Sequence, residues 1–268
     1  MNWIKGALII LICSLIPLPQ EALARKKVKN TPTPVPTAHP PVSPAPVKPY
    51  PFKIGERLEY NVSWLGISAG IMTLEVKENT QFAGEDAYRF SATGETSRFF
   101  SRFFKVKDKY DSFVRVSDLV SLYFLKNIRE GKYRVKLKEV FDHKLGVSRY
   151  RDRIAPIPPD VRDILAGMYF LRTLPLTDDA VIPINAIGDG RNYRVDVIVH
   201  GRKEVKVPAG KISVIDLEPA STFEGRVYKA ESSKLRFYFT DDERRIPVLI
   251  TTKVPIGKIR AELRALPS

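Results

Sequence analysis

Residues 58–77 read LEYNVSWLGISAGIMTLEVK. Leu58, Tyr60, Val62 and Trp64 alternate with Glu59, Asn61 and Ser63, and Met72, Leu74 and Val76 alternate with Thr73, Glu75 and Lys77. A side-chain period of two is that of a strand with one face on a core and the other in water. The small residues from Gly66 to Gly70 interrupt the two runs, which predicts a hairpin with a longer loop.

The same signal recurs outward from this point. Tyr88–Thr96, Lys105–Val116 and Val120–Glu130 read as strands, the first of them after a turn at Ala83–Asp86. Residues 132–140, KYRVKLKEV, place Lys132, Arg134, Lys136 and Lys138 on one face and Tyr133, Val135 and Leu137, joined by Val140, on the other. Asp142–Gly146 turns the chain back into Val147–Arg153. Further strands are expected at Val181–Ala186, Arg191–His200, Glu204–Val207, Lys211–Pro219, Leu235–Thr240, Pro247–Val254 and Gly257–Leu266, with Asp241–Arg245 as a hairpin turn. One helix interrupts the series. Asp160, after two prolines, is placed as its N-cap, and Val161, Ile164, Leu165, Met168, Tyr169 and Leu171 form an apolar face through Arg172. The expected fold is mainly β: an antiparallel curved sheet, barrel-like or a sandwich, with one amphipathic helix packed on it.

Residues 1–24 have the three parts of a cleavable secretory signal: Lys5, the apolar run ALIILICSLI at 7–16, and Ala22-Leu23-Ala24 as a small-x-small cleavage site. The run is about half the roughly 20 residues a spanning helix requires, so no transmembrane span is expected after cleavage. Cys13 lies inside the run behind Ile12, a poor context for lipid attachment, and is the sole cysteine. Cleavage would therefore exclude disulfides, cysteine chemistry and Cys-ligated zinc from the mature chain. Residues 25–51 carry nine prolines between Thr31 and Pro51 and read as an extended linker. Residues 52–268 remain for a single β-rich domain, in the periplasm or otherwise exported.

The net charge is +14, and residues 98–172 hold 18 Lys and Arg against 9 Asp and Glu. Outside the cytoplasm such a stretch suits an anionic lipid, lipopolysaccharide or a cell-wall polymer. No nucleic-acid-binding module is recognisable.

Several pieces resemble an uncharacterised family of exported bacterial proteins, domain of unknown function 3108. They are ERLEYNVSWLGISAG at 56–70, YDSFVRV at 110–116, REGKYRVKL at 129–137, DILAGMYFLRTLPL at 163–176, FTDDERRIPVLI at 239–250 and GKIRAEL at 257–263. The resemblance implies an envelope protein with a mainly antiparallel β fold. It implies no reaction and no catalytic residues.

The residues themselves show no catalytic constellation. His39, His143 and His200 have no metal-ligand spacing, and no Gly-x-Ser-x-Gly elbow or phosphate-binding loop occurs. Asp241 and Asp242 are adjacent and suit a turn better than a pair of acids. Glu56 and Glu59 have no evident partner. No enzyme activity, cofactor or metal is expected.

What stands out is Phe99-Phe100-Ser101-Arg102-Phe103-Phe104, with Arg98 and Lys105 at its ends. Taken as a strand, it has two apolar faces. The candidate ligand-binding set is Arg98, Arg102, Lys105, Lys132, Arg134 and Lys136 for acidic groups, with Trp64, Phe100 and Phe104 lining an apolar concavity of the sheet. A structural or assembly factor docking another envelope protein is the second reading, and a glycan-active enzyme with two converging carboxylates the third.

Overall fold

A computed structural model describes residues 49–223, 226–228, 235–253 and 257–267. The expected signal peptide and all but the last three residues of the expected linker lie outside the described residues. In chain order the strands are β1 Arg57–Trp64, β2 Ile67–Phe82, β3 Glu85–Thr96, β4 Lys107–Arg115, β5 Ser121–Glu130, β6 Tyr133–Asp142, β7 Val147–Tyr150 and β8 Arg153–Pro156. After one helix, α1 Ile164–Leu171, come β9 Val181–Gly188, β10 Arg191–Val207, β11 Gly210–Phe223, β12 Arg226–Tyr228, β13 Arg236–Thr240, β14 Pro247–Lys253 and β15 Lys258–Leu263.

All fifteen strands belong to one antiparallel sheet. The order is β8-β7-β6-β5-β4-β3-β2-β1-β15-β14-β13-β11-β10-β9, with β12 paired to β11 alone. The fold is thus barrel-like, one continuous curved sheet rather than two stacked ones. No ladder joins β8 to β9, so the sheet is open.

Its free ends nevertheless meet through side chains and one strap of chain. Lys126 Nζ of β5 lies 2.8 Å from Asp189 Oδ1 in the β9–β10 turn, and Asn192 Nδ2 donates to Pro156 O of β8 at 2.7 Å. Gly190 sits against Tyr150 and Arg153 so closely that a Cβ there would lie 3.2 Å from each. Residues 160–163 wedge between the two ends. Arg162 N donates to Asn185 O at 2.9 Å and Ile187 N to Arg162 O at 3.0 Å, while Ser121 N donates to Val161 O at 3.2 Å.

The helix fills the inside of this curve. Leu165, Ala166, Met168, Tyr169, Phe170 and Leu171 are all buried, on every side of α1. A helix apolar all round belongs inside a core rather than on a surface. Tyr169 stacks on Phe90 with ring centroids 3.9 Å apart, and Phe52 packs edge-on to both. The expected amphipathic helix on the sheet is therefore a buried one within it.

Its start also moves. Asp163, not Asp160, is the N-cap: its Oδ1 accepts from Leu165 N at 2.9 Å and Ala166 N at 3.2 Å. Asp160 instead accepts from Asn185 Nδ2 at 2.7 Å. The two acids stand three residues apart ahead of the same apolar run, and only the strap's pairing with β9 decides between them. At the other end of α1, Arg172 is fully buried and grips Glu56 at 2.6 and 2.9 Å. Glu56 thus has a partner after all, and Glu59 meets Arg57 and Arg264.

Four other local expectations change. Gly66–Gly70 is not a loop: Leu65 and Gly66, both at positive φ, make the whole turn, and β2 begins at Ile67. The extra residue is absorbed by a bulge where Val62 faces Gly70 and Ser63 faces Ser68. His200-Gly201 is likewise a bulge inside the single strand β10 rather than a break between two. Val147–Arg153 is two strands, divided at Arg151-Asp152. In β6, Glu139 rather than Val140 joins Tyr133, Val135 and Leu137 on the inward face, since strict alternation continues and Glu139 stands opposite buried Phe124.

Candidate functional site

Antiparallel order places the β1–β2 turn, the β3–β4 connection and the β5–β6 turn at one end of the barrel. The chain enters at the other end, where Phe52 is in the core and Tyr50 donates to Val116 O at 2.6 Å.

The three connections are tied together. Ser97 N donates to Ala69 O at 2.8 Å and Ser97 Oγ to Ser68 O at 3.4 Å, joining the β3–β4 connection to β2. Gly131 N donates to Lys105 O at 2.8 Å, joining it to the β5–β6 turn. Thr96 Oγ1 accepts from Val106 N at 2.9 Å and closes the connection on itself.

The phenylalanine run is not a strand. Phe100–Arg102 is a single 3-10 turn, with Phe103 N donating to Phe100 O at 2.9 Å. The turn sorts the rings differently from strand alternation. Phe100 meets Trp64 at 6.5 Å between centroids, and Phe104 lies over Gly131, whose Cβ position is 2.9 Å from that ring. Both are part-buried. Phe99 and Phe103 are left outside, 58% and 69% exposed, touching each other at 5.6 Å. Leu65, Ile67 and Tyr133 are also more than half exposed at this end.

Of the candidate set, Trp64, Phe100, Phe104, Arg98, Arg102, Lys105, Lys132 and Arg134 come together on this rim. All five cations are exposed, and among the described residues none forms an ion pair. Arg134 folds back to donate to Gly131 O and Tyr133 O at 2.8 Å each. Lys136 is exposed on the outer wall of β6, two residues below Arg134 and off the rim. Phe100 and Phe104 brace the rim from within, while Phe99, Phe103, Leu65 and Ile67 present its apolar surface. Phe99 and Phe103 stand out in the sequence with the rest of their run, but strand alternation does not tell them from Phe100 and Phe104; Leu65 and Ile67, beside a two-residue turn, give no periodic signal. The small residues flanking Leu65-Gly66-Ile67 were the available signal.

The turns at residues 65–68, 97–105 and 131–134 contain no acidic residue. Glu95, just below, is held by Lys107 at 2.8 Å. Beneath the rim, Asp108 of β4 and Glu130 of β5 are buried and hydrogen-bonded to each other. Burial, then the Asp108 charge, pushes Glu130 up to about 8, and burial also raises Asp108. Asp108 Oδ1 accepts from Arg129 N at 2.8 Å. Two carboxyls in direct hydrogen bond share a proton.

The remaining chemical candidates are occupied locally. Asp242 caps its hairpin turn through Thr240 Oγ1, Arg244 N and Arg245 N, and Asp241 meets Arg202 and Arg245. His143 Nε2 lies 2.8 Å from Ser121 O and His200 Nε2 2.9 Å from Glu218 Oε2. His39 lies outside the described residues. Among the described residues no three His, Cys, Asp or Glu side chains are placed to hold a metal ion.

A family model described as a protein of unknown function, DUF3108, matches residues 59–264. The chain belongs to the DUF3108 family. No curated protein matches it. The DUF3108 fold is similar to a crystal structure of a β-barrel-like protein of another domain of unknown function, DUF1849, from Brucella abortus. The TM-score is 0.52 at 13% identity, over 79% of this chain and 96% of that one. Weaker likenesses are to a candidate lipoprotein from Parabacteroides distasonis (TM-score 0.35, 9% identity, 81% and 97% covered) and a candidate exported protein with a YmcC-like fold from Bacteroides fragilis (0.30, 11%, 82% and 98%). The Brucella likeness bears on the fold of this DUF3108 chain, which is barrel-like as its strand pattern implied.

Proposed function

We propose that this protein is an exported, non-enzymatic envelope protein that binds an anionic amphiphile through the rim formed by the β1–β2, β3–β4 and β5–β6 connections. The observation that carries the reading is the coincidence, at one end of the barrel, of exposed Leu65, Ile67, Phe99, Phe103 and Tyr133 with Arg98, Arg102, Lys105, Lys132 and Arg134. Exposing large apolar side chains is costly: removing one Phe from water is worth roughly 1.5–3 kcal/mol. A contiguous group of them marks a contact surface. Unopposed cations around that group select a partner with an apolar part and acidic head groups, such as an anionic lipid or lipopolysaccharide. Export is read from the leader at residues 1–24.

The test is binding of a water-soluble short-chain phosphatidylglycerol or of lipopolysaccharide, followed by calorimetry at low and high salt. Binding should weaken as salt rises. The triple substitution Arg98→Glu, Arg102→Glu, Lys105→Glu should lower affinity by at least tenfold. Equal binding by wild type and the triple variant would remove the rim as the contact.

A further inference from the structure

The shape of the rim narrows the partner. Resting on the reading above, we infer that the partner is the surface of an anionic phospholipid bilayer, onto which the rim docks with Phe99 and Phe103 inserted among the acyl chains.

A protein that encloses single lipids needs an apolar hollow. Here α1, with Phe52, Phe90 and Tyr60 around it, fills the inside of the curved sheet at the end where the chain enters, and Phe100 and Phe104 turn inward beneath the rim. The free apolar surface lies instead at the tips of connections, where it is convex. Phe99 and Phe103 stand at the outermost turn, and Leu65 and Ile67 flank the adjacent one. Convex apolar tips cannot surround one acyl chain but can enter an interface made of many.

The charges have the matching arrangement. Arg98 and Arg102 alternate with the two exposed rings along the chain, Lys105 follows on the same connection, and Lys132 and Arg134 lie at the β5–β6 turn. Long basic side chains beside inserted aromatics place their heads at the level of lipid phosphates while their stems remain apolar. Among the described residues of these three connections there is no acidic side chain; Glu95, just below, is paired with Lys107, and Glu130 is buried. Tyr50, bonded to Val116 O, lies at the opposite end, away from the docked surface.

Trp64 supplies the readout, since it lies in the rim against Phe100. The chain has two tryptophans, Trp3 and Trp64, and Trp3→Phe leaves Trp64 as the sole reporter in the full chain. The probe is vesicles of phosphatidylcholine with or without phosphatidylglycerol, some of the lipid being brominated on its acyl chains. Addition of phosphatidylglycerol vesicles should shift Trp64 emission to the blue, and brominated lipid should quench it. High salt should reverse both effects. Phe99→Ser and Phe103→Ser, at exposed positions that leave the fold and its circular dichroism unchanged, should each weaken partition about tenfold.

If monomeric short-chain phosphatidylglycerol gives the same shift while vesicles give no quenching, the bilayer is the wrong partner and the reading above stands. Vesicle binding that is indifferent to both phenylalanine substitutions and leaves Trp64 unquenched is adsorption by other parts of the chain, and overturns docking by the rim. If neither vesicles nor monomeric lipid change Trp64 and calorimetry shows no binding, both readings fall.

Discussion

Arg172 and Glu56 illustrate what single residues decide in this protein. Each is charged, each is buried, and they lie at the end of α1 and the threshold of β1. Arg172 also donates to Pro51 O and Arg244 O, and stacks near Phe52 and Tyr169 at 5.6 and 5.3 Å. Removing one partner strands the other charge in the core. Arg172→Met should therefore cost roughly 3–5 kcal/mol in urea denaturation, and adding Glu56→Gln to it should recover part of that loss. Nothing in the sequence near either residue announces the pair, because helix and strand periodicities report faces, not contacts between residues 116 positions apart.

Glycine at position 70 is fixed by crowding rather than by φ. A Cβ there would overlap the Glu95 carbonyl oxygen of the neighbouring strand. Gly70→Ala should lower stability by about 2 kcal/mol or more, since backbone atoms have no rotamer with which to yield.

Glu130 gives the fold a pH dependence. Its carboxyl rises from 4.5 in the open chain to about 8 in the fold. The folded state therefore holds a proton that the unfolded state releases, and this contribution to stability is present in full below pH ~4.5 and lost as pH rises towards 8. Glu130→Gln, neutral at every pH, should flatten the decline in stability between pH 5 and 8. An unchanged slope in denaturant midpoints against pH would show that other groups govern it.

At the scale of elements, the strands were legible and their interruptions were not. Alternation in β1, β4, β6 and β10 sufficed to assign them, because each has one face on the core. The bulges at Val62–Ser63 and within β10 look like turns in sequence, since both require small residues. The helix was recognised, but its burial on all sides was not. Ala166, Gly167 and Phe170 lie off the apolar stripe and read as a neutral flank until a concave sheet wraps them. Its cap is equally a product of tertiary structure. Asp163 Oδ2 accepts from Ser112 Oγ at 2.5 Å and Ser121 Oγ at 2.6 Å, so one carboxylate binds β4, β5 and the start of α1. Asp163→Ala should cost about 3 kcal/mol by combining a lost cap with two orphaned hydroxyls. Asp163→Asn retains an acceptor for the helix amides but turns its NH2 toward the serines, and should fall between wild type and Ala in thermal melts.

For the whole molecule, the basic rim was half visible in the sequence. Five of the six cations group on the rim, Lys136 standing off it on β6, because three connections at one end of a meander lie together whatever their lengths. The rings do not sort as strand alternation implies, because a 3-10 turn at Phe100–Arg102 exchanges which phenylalanines face outward. The other whole-molecule feature, the side-chain seam between β5–β8 and the β9–β10 turn, had no local signal at all. It lacks the ladder that joins every other neighbouring pair in the sheet's order, and the polar groups in it are dissimilarly poised. Burial pushes Glu139 up to about 7, whereas at Asp189 burial is outweighed by Lys126 and Tyr150 and its carboxyl is held low. Lys126→Met should loosen this seam first. Amide exchange should quicken in β9 and β7–β8 while the β1–β15 amides keep their protection.

That last pairing carries its own consequence for the newly made chain. β1 is among the first strands to be synthesised and β15 is the last, yet Tyr60 faces Leu263 and Trp64 faces Ile259. Until β15 emerges, β1 has an open hydrogen-bonding edge, and so does β14. Such distant partners impose a large loop-closure cost before they contribute any stability, which makes folding slow and concerted rather than vectorial. Truncation before Lys258 should leave two sticky strand edges in mid-sheet and an aggregating product. A sheet joined through so late a strand cannot be completed while Lys258–Leu263 are missing.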